Sequence, residues 1–216
     1  SDAVFERFKK SAPDAERLKT PLPAPAALLS AMSDRLVILD DTQELAAGLA
    51  WRPLAIEKSK ASNTLGDWLA YPSGGPEQVI FTGVHTPAAA ALKGAATGDE
   101  IFFAVTGMIG SGAHTILMSR WRTGGQTSID LSREFLQELP TTPASAAWRR
   151  SAELLSESEI APTREPRLTP DKITQSLSAK HPFWWAGYLL VDTGIDPAKE
   201  EVGAQPPVKE GDAIPG

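Results

Sequence analysis

The sequence predicts an α/β domain, a three-layer α/β/α sandwich built on a mostly parallel sheet. Two observations lead to this fold class. Short, almost wholly apolar segments alternate along the chain with amphipathic helical patterns, and strands that are apolar on both faces are typical of parallel sheets covered by helices on both sides. The length of 216 residues suits one core with appendages better than two full domains.

The strands are predicted from short apolar runs that polar or turn-forming residues interrupt. The first are RLVIL (35–39), PLAIE (53–57), which is the weakest, QVIFTG (78–83) and HTILMS (114–119). The last predicted strand, Trp184 to Val191, lies in the aromatic segment HPFWWAGYLLVDTG (181–194). We expect its aromatic side chains to pack between sheet and helix, and His181, directly before Pro182, to fix a turn into the strand.

Three helices are predicted from start signals that precede apolar stripes. Thr97 and Glu100 have the spacing of a capping box, and Thr127 with Asp130 resembles one. Pro143, directly after a threonine, favours a third helix start. The stripes that follow are Ile101, Val105, Met108 and Ile109 in the first helix, Leu131, Phe135, Leu136 and Leu139 in the second, and Trp148, Ala152 and Leu155 in the third.

The chain is predicted to fall into three parts. Residues 1–33 hold a Pro/Ala-rich linker and a short helix, residues 34–194 form the domain, and residues 195–216 form a charged, Pro/Gly-rich tail. The tail has no periodicity that would bury a face. Within the domain, residues 155–180 predict a loop with a short helix at 170–177.

Composition excludes several kinds of function. The formal net charge of −6 disfavours binding to nucleic acid or to an anionic membrane surface. The sequence holds no cysteine, which excludes disulfides, thiolate metal sites and a cysteine nucleophile. Its 3 histidines lack ligand-like spacing, so we predict no metal and no other cofactor. No apolar run approaches the roughly 20 residues of a spanning helix, and we expect a cytoplasmic protein without membrane contact.

The order of the motifs from Glu77 to Thr193 resembles the C-terminal half of a CHAT domain, the caspase-like domain found beside tetratricopeptide repeats in many bacterial proteins. Four pieces carry the resemblance. They are QVIFTGVHT, GDEIFFAVTGMIGSGAHTILMSRWRTGGQTS, the helical pair SREFLQEL and SAAWRRSAELL, and HPFWWAGYLLVDTG. The resemblance implies a caspase-like sheet with a peptidase ancestry, and a place within a larger bacterial protein.

The resemblance also shows where the family's chemistry is missing. In this family a catalytic Cys follows one parallel strand and a His follows the neighbouring strand upstream, since a thiol needs an imidazole base to become the attacking thiolate. The Cys position of the motif holds Val84, and Asp40 and Asp41 stand where the family has His followed by Gly. Gly125 occupies the position of an acidic residue that follows the family's Trp, which implies loss of a pocket for a basic side chain. The resemblance therefore implies the fold without the protease.

An active hydrolase is the alternative. His85 lies in a turn after a predicted strand, where open parallel sheets bind ligands, and it could serve as the base for Thr82 or Thr86. A hydroxyl nucleophile needs a well-aligned base and an oxyanion hole. The competing interpretation is that His85 is a loop histidine bonded to a nearby carbonyl.

The segment SRWRTGGQ (119–126) is the candidate binding loop. Arg120 and Arg122 could clamp a carboxylate or phosphate, with Trp121 and Gln126 beside them and backbone N–H groups at the following helix start. The competing interpretation places Trp121 in the core and the arginines in solvent. The predicted function is a catalytically inactive CHAT-type domain that binds a protein partner or a neighbouring domain of the same polypeptide. A structural domain without any ligand stays the third possibility.

Overall fold

A computed structural model describes residues 2–18, 34–39, 43–44, 54–55, 76–82, 99–120, 125–165, 168 and 177–194. The helices are α1 (Asp2–Ser11), α2 (Asp99–Gly110), α3 (Gly125–Glu138) and α4 (Ala144–Ser156), with 3-10 helices at Pro162–Arg164 and Pro182–Trp184. The strands are β1 (Arg35–Ile38), β2 (Gln43–Glu44), β3 (Leu54–Ala55), β4 (Gln78–Phe81), β5 (Thr115–Ser119), β6 (Glu159–Ile160), β7 (Leu177–Ser178) and β8 (Tyr188–Asp192).

The main sheet has the strand order β1-β4-β5-β8. β1, β4 and β5 are parallel, and their register sets Ile38 beside Phe81 and Phe81 beside Met118. β8 joins β5 as an antiparallel edge strand, with Tyr188 beside Ser119. The prediction of a mostly parallel sheet is confirmed. The direction of β8 was not predicted, because an apolar run reads the same in either direction.

Two apolar clusters cover the two faces of this sheet. Side chains alternate along a strand, so Ile80 faces one way while Val79 and Phe81 face the other. Ile80 packs with residues of α3 and α4, such as Phe135. Val79 and Phe81 pack with α2, where Met108 is buried. The structure is therefore the predicted α/β/α sandwich, with α3 and α4 on one face and α2 on the other.

One strand prediction needs correction, and another is described in part. Of PLAIE (53–57), the structure describes Leu54–Ala55, a strand that pairs with β2 in a separate two-stranded sheet. The predicted strand from Trp184 starts four residues too early, because Pro182–Trp184 is a 3-10 helix and β8 begins at Tyr188. Pro182 has the fixed φ that suits this turn, and the Phe183 N–H donates to Nδ1 of His181 at 3.2 Å. The turn predicted at His181 is confirmed.

The aromatic side chains of this segment pack as expected, between sheet and helix. The ring of Tyr188 lies 5.4 Å from that of Trp148 on α4, and Trp148 contacts Phe135 edge-on at 6.2 Å. The Tyr188 hydroxyl bonds the Ser128 hydroxyl of α3 at 2.7 Å. Trp184 is buried in the same cluster. The closing segment thus joins the last strand to both helices of this layer.

The helix predictions are correct in type and less so in detail. α4 begins at Ala144 after Pro143, as predicted, but its fully buried stripe is Ala144, Ala147, Ser151 and Leu155, with Trp148 and Ala152 half-buried. Thr97 lies outside the described residues, as do 170–176 of the predicted short helix, and Leu177 is in β7. No helix among the described residues is long and apolar enough to cross a bilayer.

α1 was not predicted; the short helix predicted in residues 1–33 was placed after the linker, where residues 19–33 lie outside the described part of the chain. α1 packs against α3, with Phe8 as its buried residue. A bond from the Gln137 amide to the Ser11 hydroxyl, 2.6 Å long, adds a polar contact. The predicted boundaries at Ser33 and residue 195 stay predictions, since 19–33 and 195–216 lie outside the described residues.

Candidate functional site

The carboxyl ends of β1 and β4 lie side by side at one edge of the sheet. Ile38 and Phe81 are the last paired residues of the two parallel strands, and beyond them the Thr82 N–H donates to the Ile38 carbonyl at 3.2 Å. Ligands of open parallel sheets bind at this edge. The two strands that precede Asp40 and Val84 are therefore neighbours, as the family's catalytic geometry requires.

The predicted vestigial positions themselves come after these strands. Asp40, Asp41, Val84, His85 and Thr86 lie outside the described residues. Thr82 is described, and its exposed fraction is 2%. A substrate reaches so buried a hydroxyl only if the surrounding chain moves. Of the residues named for a hydrolase, the structure thus describes Thr82 alone.

Arg120 marks the same edge on the next strand. It follows β5 directly, its side chain is exposed, and its N–H donates to the Gly187 carbonyl at 2.6 Å. Gly187 lies in the turn between the 3-10 helix at Pro182–Trp184 and β8, so the aromatic closing segment fixes the backbone at the start of the candidate binding loop. Trp121 and Arg122 lie outside the described residues.

The first turn of α3 is capped by a distant carboxylate. α3 begins at Gly125, whose φ of 87° suits glycine. The Thr127 N–H donates to Oε1 of Glu165 at 2.8 Å, and its hydroxyl donates to Oε2 at 3.1 Å. The Gln126 N–H also bonds this carboxylate. The capping box predicted from Thr127 and Asp130 is wrong, because Thr127 lies inside the helix and Glu165 takes the capping role.

Burial raises the pKa of the Glu165 carboxyl, and the hydrogen bonds from Thr127 and Gln126 oppose that rise. The exposed fraction of Glu165 is 4%, so the carboxylate has little water to solvate it. It also occupies the N–H groups that the sequence offered to an external anion at this helix start. An anion at the candidate loop would depend on arginine side chains.

Gln126 and Asp130 bond to each other on α3. Nε2 of Gln126 donates to Oδ2 of Asp130 at 2.7 Å, and Asp130 also pairs with Arg133 at 3.4 Å. Both side chains line a cleft of about 620 Å³ between α1, α3 and residues 155–165. Sequence reasoning missed Glu165 and this cleft, because no local pattern links residue 165 to a helix start at 125.

Residues 73–193 match the family profile of the CHAT domain. The chain belongs to the CHAT domain family. The match spans β4 to β8 and more than half of the 216 residues, which confirms the resemblance found in the motifs. No curated protein and no solved structure matches the chain.

Membership in the family gives a meaning to the absence of cysteine from the sequence. The 216 residues hold no cysteine, so the CHAT nucleophile is absent from this sequence. Among the described residues, no group of three or more His, Asp or Glu side chains could hold a metal ion. The chain therefore has the fold of the family but lacks the thiol that would act at the carboxyl edge of the sheet.

Proposed function

We propose that this CHAT domain is catalytically inactive and binds a protein partner or a neighbouring domain of the same polypeptide. One observation carries the proposal: β1 and β4 keep the adjacent, parallel arrangement that a Cys-His pair needs, while the sequence contains no cysteine. Valine at the nucleophile position of the motif, Val84, cannot form a thiolate.

The fold does not depend on the lost pair. Two apolar clusters hold the sheet between its helices, and burial of apolar area contributes about 25 cal/mol per Å² removed from water. Thr82, the described residue named for a hydrolase, belongs to neither cluster. Loss of the thiol thus leaves the framework intact and its edge available for binding.

Arg120 is the described residue that supports a binding role for this edge. Its backbone is fixed by Gly187, and its side chain is exposed at the carboxyl end of a central strand. A guanidinium can bond a carboxylate through two parallel N–H groups. With Arg122 two residues further on, the loop is suited to an acidic group on a protein partner.

Burial of Thr82 weighs against the hydrolase alternative. With 2% of its surface exposed, this threonine does not present its hydroxyl to a substrate, and a nucleophile must approach the scissile carbonyl closely. The alternative then depends on Thr86 and His85. Neither lies among the described residues.

A substrate screen tests inactivity. Purified protein is incubated with a peptide library and with activated esters, beside a His85→Ala variant. We expect neither sample to exceed the rate of buffer. Turnover by the wild type that His85→Ala abolishes would overturn the proposal, because it would identify an active hydrolase.

A capture experiment tests the binding role. Immobilised wild type, an Arg120→Glu/Arg122→Glu variant and an Arg149→Glu/Arg150→Glu control are exposed to the same lysate. The control reverses two charges that lie on α4 and are exposed there. We expect proteins that wild type and control retain and the loop variant loses. Equal retention by all three samples would show that the loop has no binding role.

A further inference from the structure

The residues that line the cleft beside α3 do not include β1, β4 or Arg120, on which the proposed function rests. The volume of the cleft is about 620 Å³, and three segments of the chain line it. α1 contributes Arg7 and Lys10, α3 contributes its outer face, and the chain after α4 contributes residues 158–161 and Arg164. Two separate segments thus face each other across α3.

Charges on α3 are neutralised within the helix itself. Arg133 bonds Oε1 of Glu134 at 2.6 Å and lies 3.4 Å from Asp130. Arg7 of α1 reaches Asp130 only at 3.9 Å, the outer limit of an ion pair. The part of the cleft that α3 forms, its floor, therefore has little unpaired charge to offer a ligand.

The rims of the cleft differ from its floor. Lys10 and Arg164 are both exposed, and neither has an ion-pair partner within the part of the chain that the structure describes. Among the carboxylates, Glu165 is buried and bonded to the first turn of α3. Glu159 is the exposed carboxylate among the residues that line the cleft. The rims carry an excess of positive charge.

One wall of the cleft contains the strand β6. β6 pairs with β7 in antiparallel register, and the Ser158 carbonyl accepts from the Ala179 N–H at 3.3 Å. Antiparallel residues alternate between facing the partner strand and facing away. Ser158 and Ile160 therefore point their backbone groups at β7, while the N–H and C=O of Glu159 and the N–H of Ala161 point away from it.

From these features we infer that the cleft binds an extended, acidic segment of a partner protein. The segment adds as a strand to the outer edge of β6 and bonds the backbone of Glu159 and Ala161. Its carboxylates on one face reach Lys10 and Arg164. Strand addition supplies backbone hydrogen bonds, and the two cations select the charge of the partner.

The acidic character of the whole chain does not oppose this binding. The net charge is −6, but salt screens charges beyond about 8 Å at physiological ionic strength. An acidic segment inside the cleft would lie beside Lys10 and Arg164, which line it, while charges farther away than this screening length would act on it weakly. Local charge, rather than net charge, decides the interaction.

Fluorescence anisotropy with a labelled peptide of alternating Glu and Val tests the inference. We expect it to bind the wild type, and a Lys10→Glu/Arg164→Glu variant to weaken binding by about tenfold or more. The Arg149→Glu/Arg150→Glu variant is the matched control and should change the Kd by less than about twofold. Equal affinity for wild type and the cleft variant, or equal affinity of wild type for a Lys-Val peptide, would overturn the inference.

A second experiment tests whether the peptide pairs with the backbone of β6. Methylation of alternate peptide nitrogens removes the donors that pair with β6 and leaves the charges in place. We expect the methylated Glu-Val peptide to lose binding, and the amides of Glu159 and Ala161 to exchange more slowly with solvent when the unmodified peptide is bound. Undiminished binding of the methylated peptide, or unchanged exchange at both amides, would contradict pairing with β6. The substrate screen tests the edge formed by β1 and β4, whereas the peptide experiments test the cleft beside α3. The proposed function and the present inference can therefore fail independently.

Discussion

The carboxylate of Glu165 holds the backbone N–H of Thr127 at 2.8 Å, across 38 residues of chain. Helix starts are usually capped by a side chain within the same turn. Here the capping group comes from beyond the next helix, and it bonds both the N–H and the hydroxyl of Thr127. The start of α3, and with it the end of the candidate binding loop, therefore depends on the segment after α4.

Replacing Glu165 with alanine should destabilise the fold. The Thr127 N–H would lose its partner while buried, and leaving such a group unsatisfied costs about 1–3 kcal/mol. Glu165→Gln keeps a carbonyl acceptor and should cost less. Urea denaturation measures the free energy of unfolding, and Glu153→Ala, at an exposed site on α4, should change it by less than about 0.5 kcal/mol. An equal small loss in both alanine variants would contradict the capping role.

Stability should depend on pH through the same residue. Burial raises the pKa of the Glu165 carboxyl, so the native state keeps this proton at a pH where the unfolded chain, with a pKa of about 4.3, has lost it. The contribution of Glu165 to stability is then present below the unfolded pKa and declines as pH rises through the native pKa. We expect the free energy of unfolding of wild type, relative to Glu165→Gln, to fall with pH over that window in urea titrations. A relative increase would contradict the raised pKa.

The aromatic contact between α3 and α4 should be a main source of stability. Phe135 is fully buried and packs edge-on against Trp148. Phe135→Ala should lower the free energy of unfolding by about 3–5 kcal/mol, since it removes apolar contact and leaves a cavity. Leu154→Ala, at a position on α4 that is 41% exposed, is the control and should cost less than about 1 kcal/mol. Chemical denaturation compares the two losses, and similar values would refute this assignment of the core.

A thiol placed at the vestigial site would report on the family alignment. Because the sequence has no cysteine, Val84→Cys introduces a single thiol, and we expect it to react with iodoacetamide as an ordinary thiol of pKa about 8.5. Adding Asp40→His should raise the rate at pH near 7 by roughly fivefold to tenfold, if the imidazole lowers the thiol pKa by about one unit. Asp14→His, on a distant part of the chain, is the control. An unchanged rate in the double variant would show that positions 40 and 84 are not neighbours.

Segments whose structure depends on their own residues were predictable. The buried strands β4 and β5 follow from QVIF and TILMS, because β-branched and long apolar side chains bury on both faces of a sheet. The two sheet faces and the three helices of the domain followed from the same periodicity. The neighbouring, parallel ends of β1 and β4 followed from the family motifs.

Features that join distant residues were not predictable. Thr127 and Asp130 have the spacing of a local cap, but the residue that caps α3 is 38 positions away. The strand predicted from Trp184 began too early because Trp184 is as apolar as the residues of β8, and the 3-10 turn depends on Pro182 and His181. The cleft needs α1, whose ten residues show one buried side chain, Phe8. Such contacts appear only when the chain is folded.

The antiparallel strand β8 leaves the ribosome after the other strands that the structure describes. Until it emerges, β5 has a partner on one side only, although all five of its residues are buried in the finished fold. An unpaired apolar edge is a template for association with other chains. A premature stop before residue 188 would thus convert the centre of this sheet into an aggregation surface, and nascent chains of that length are the ones a chaperone must shield.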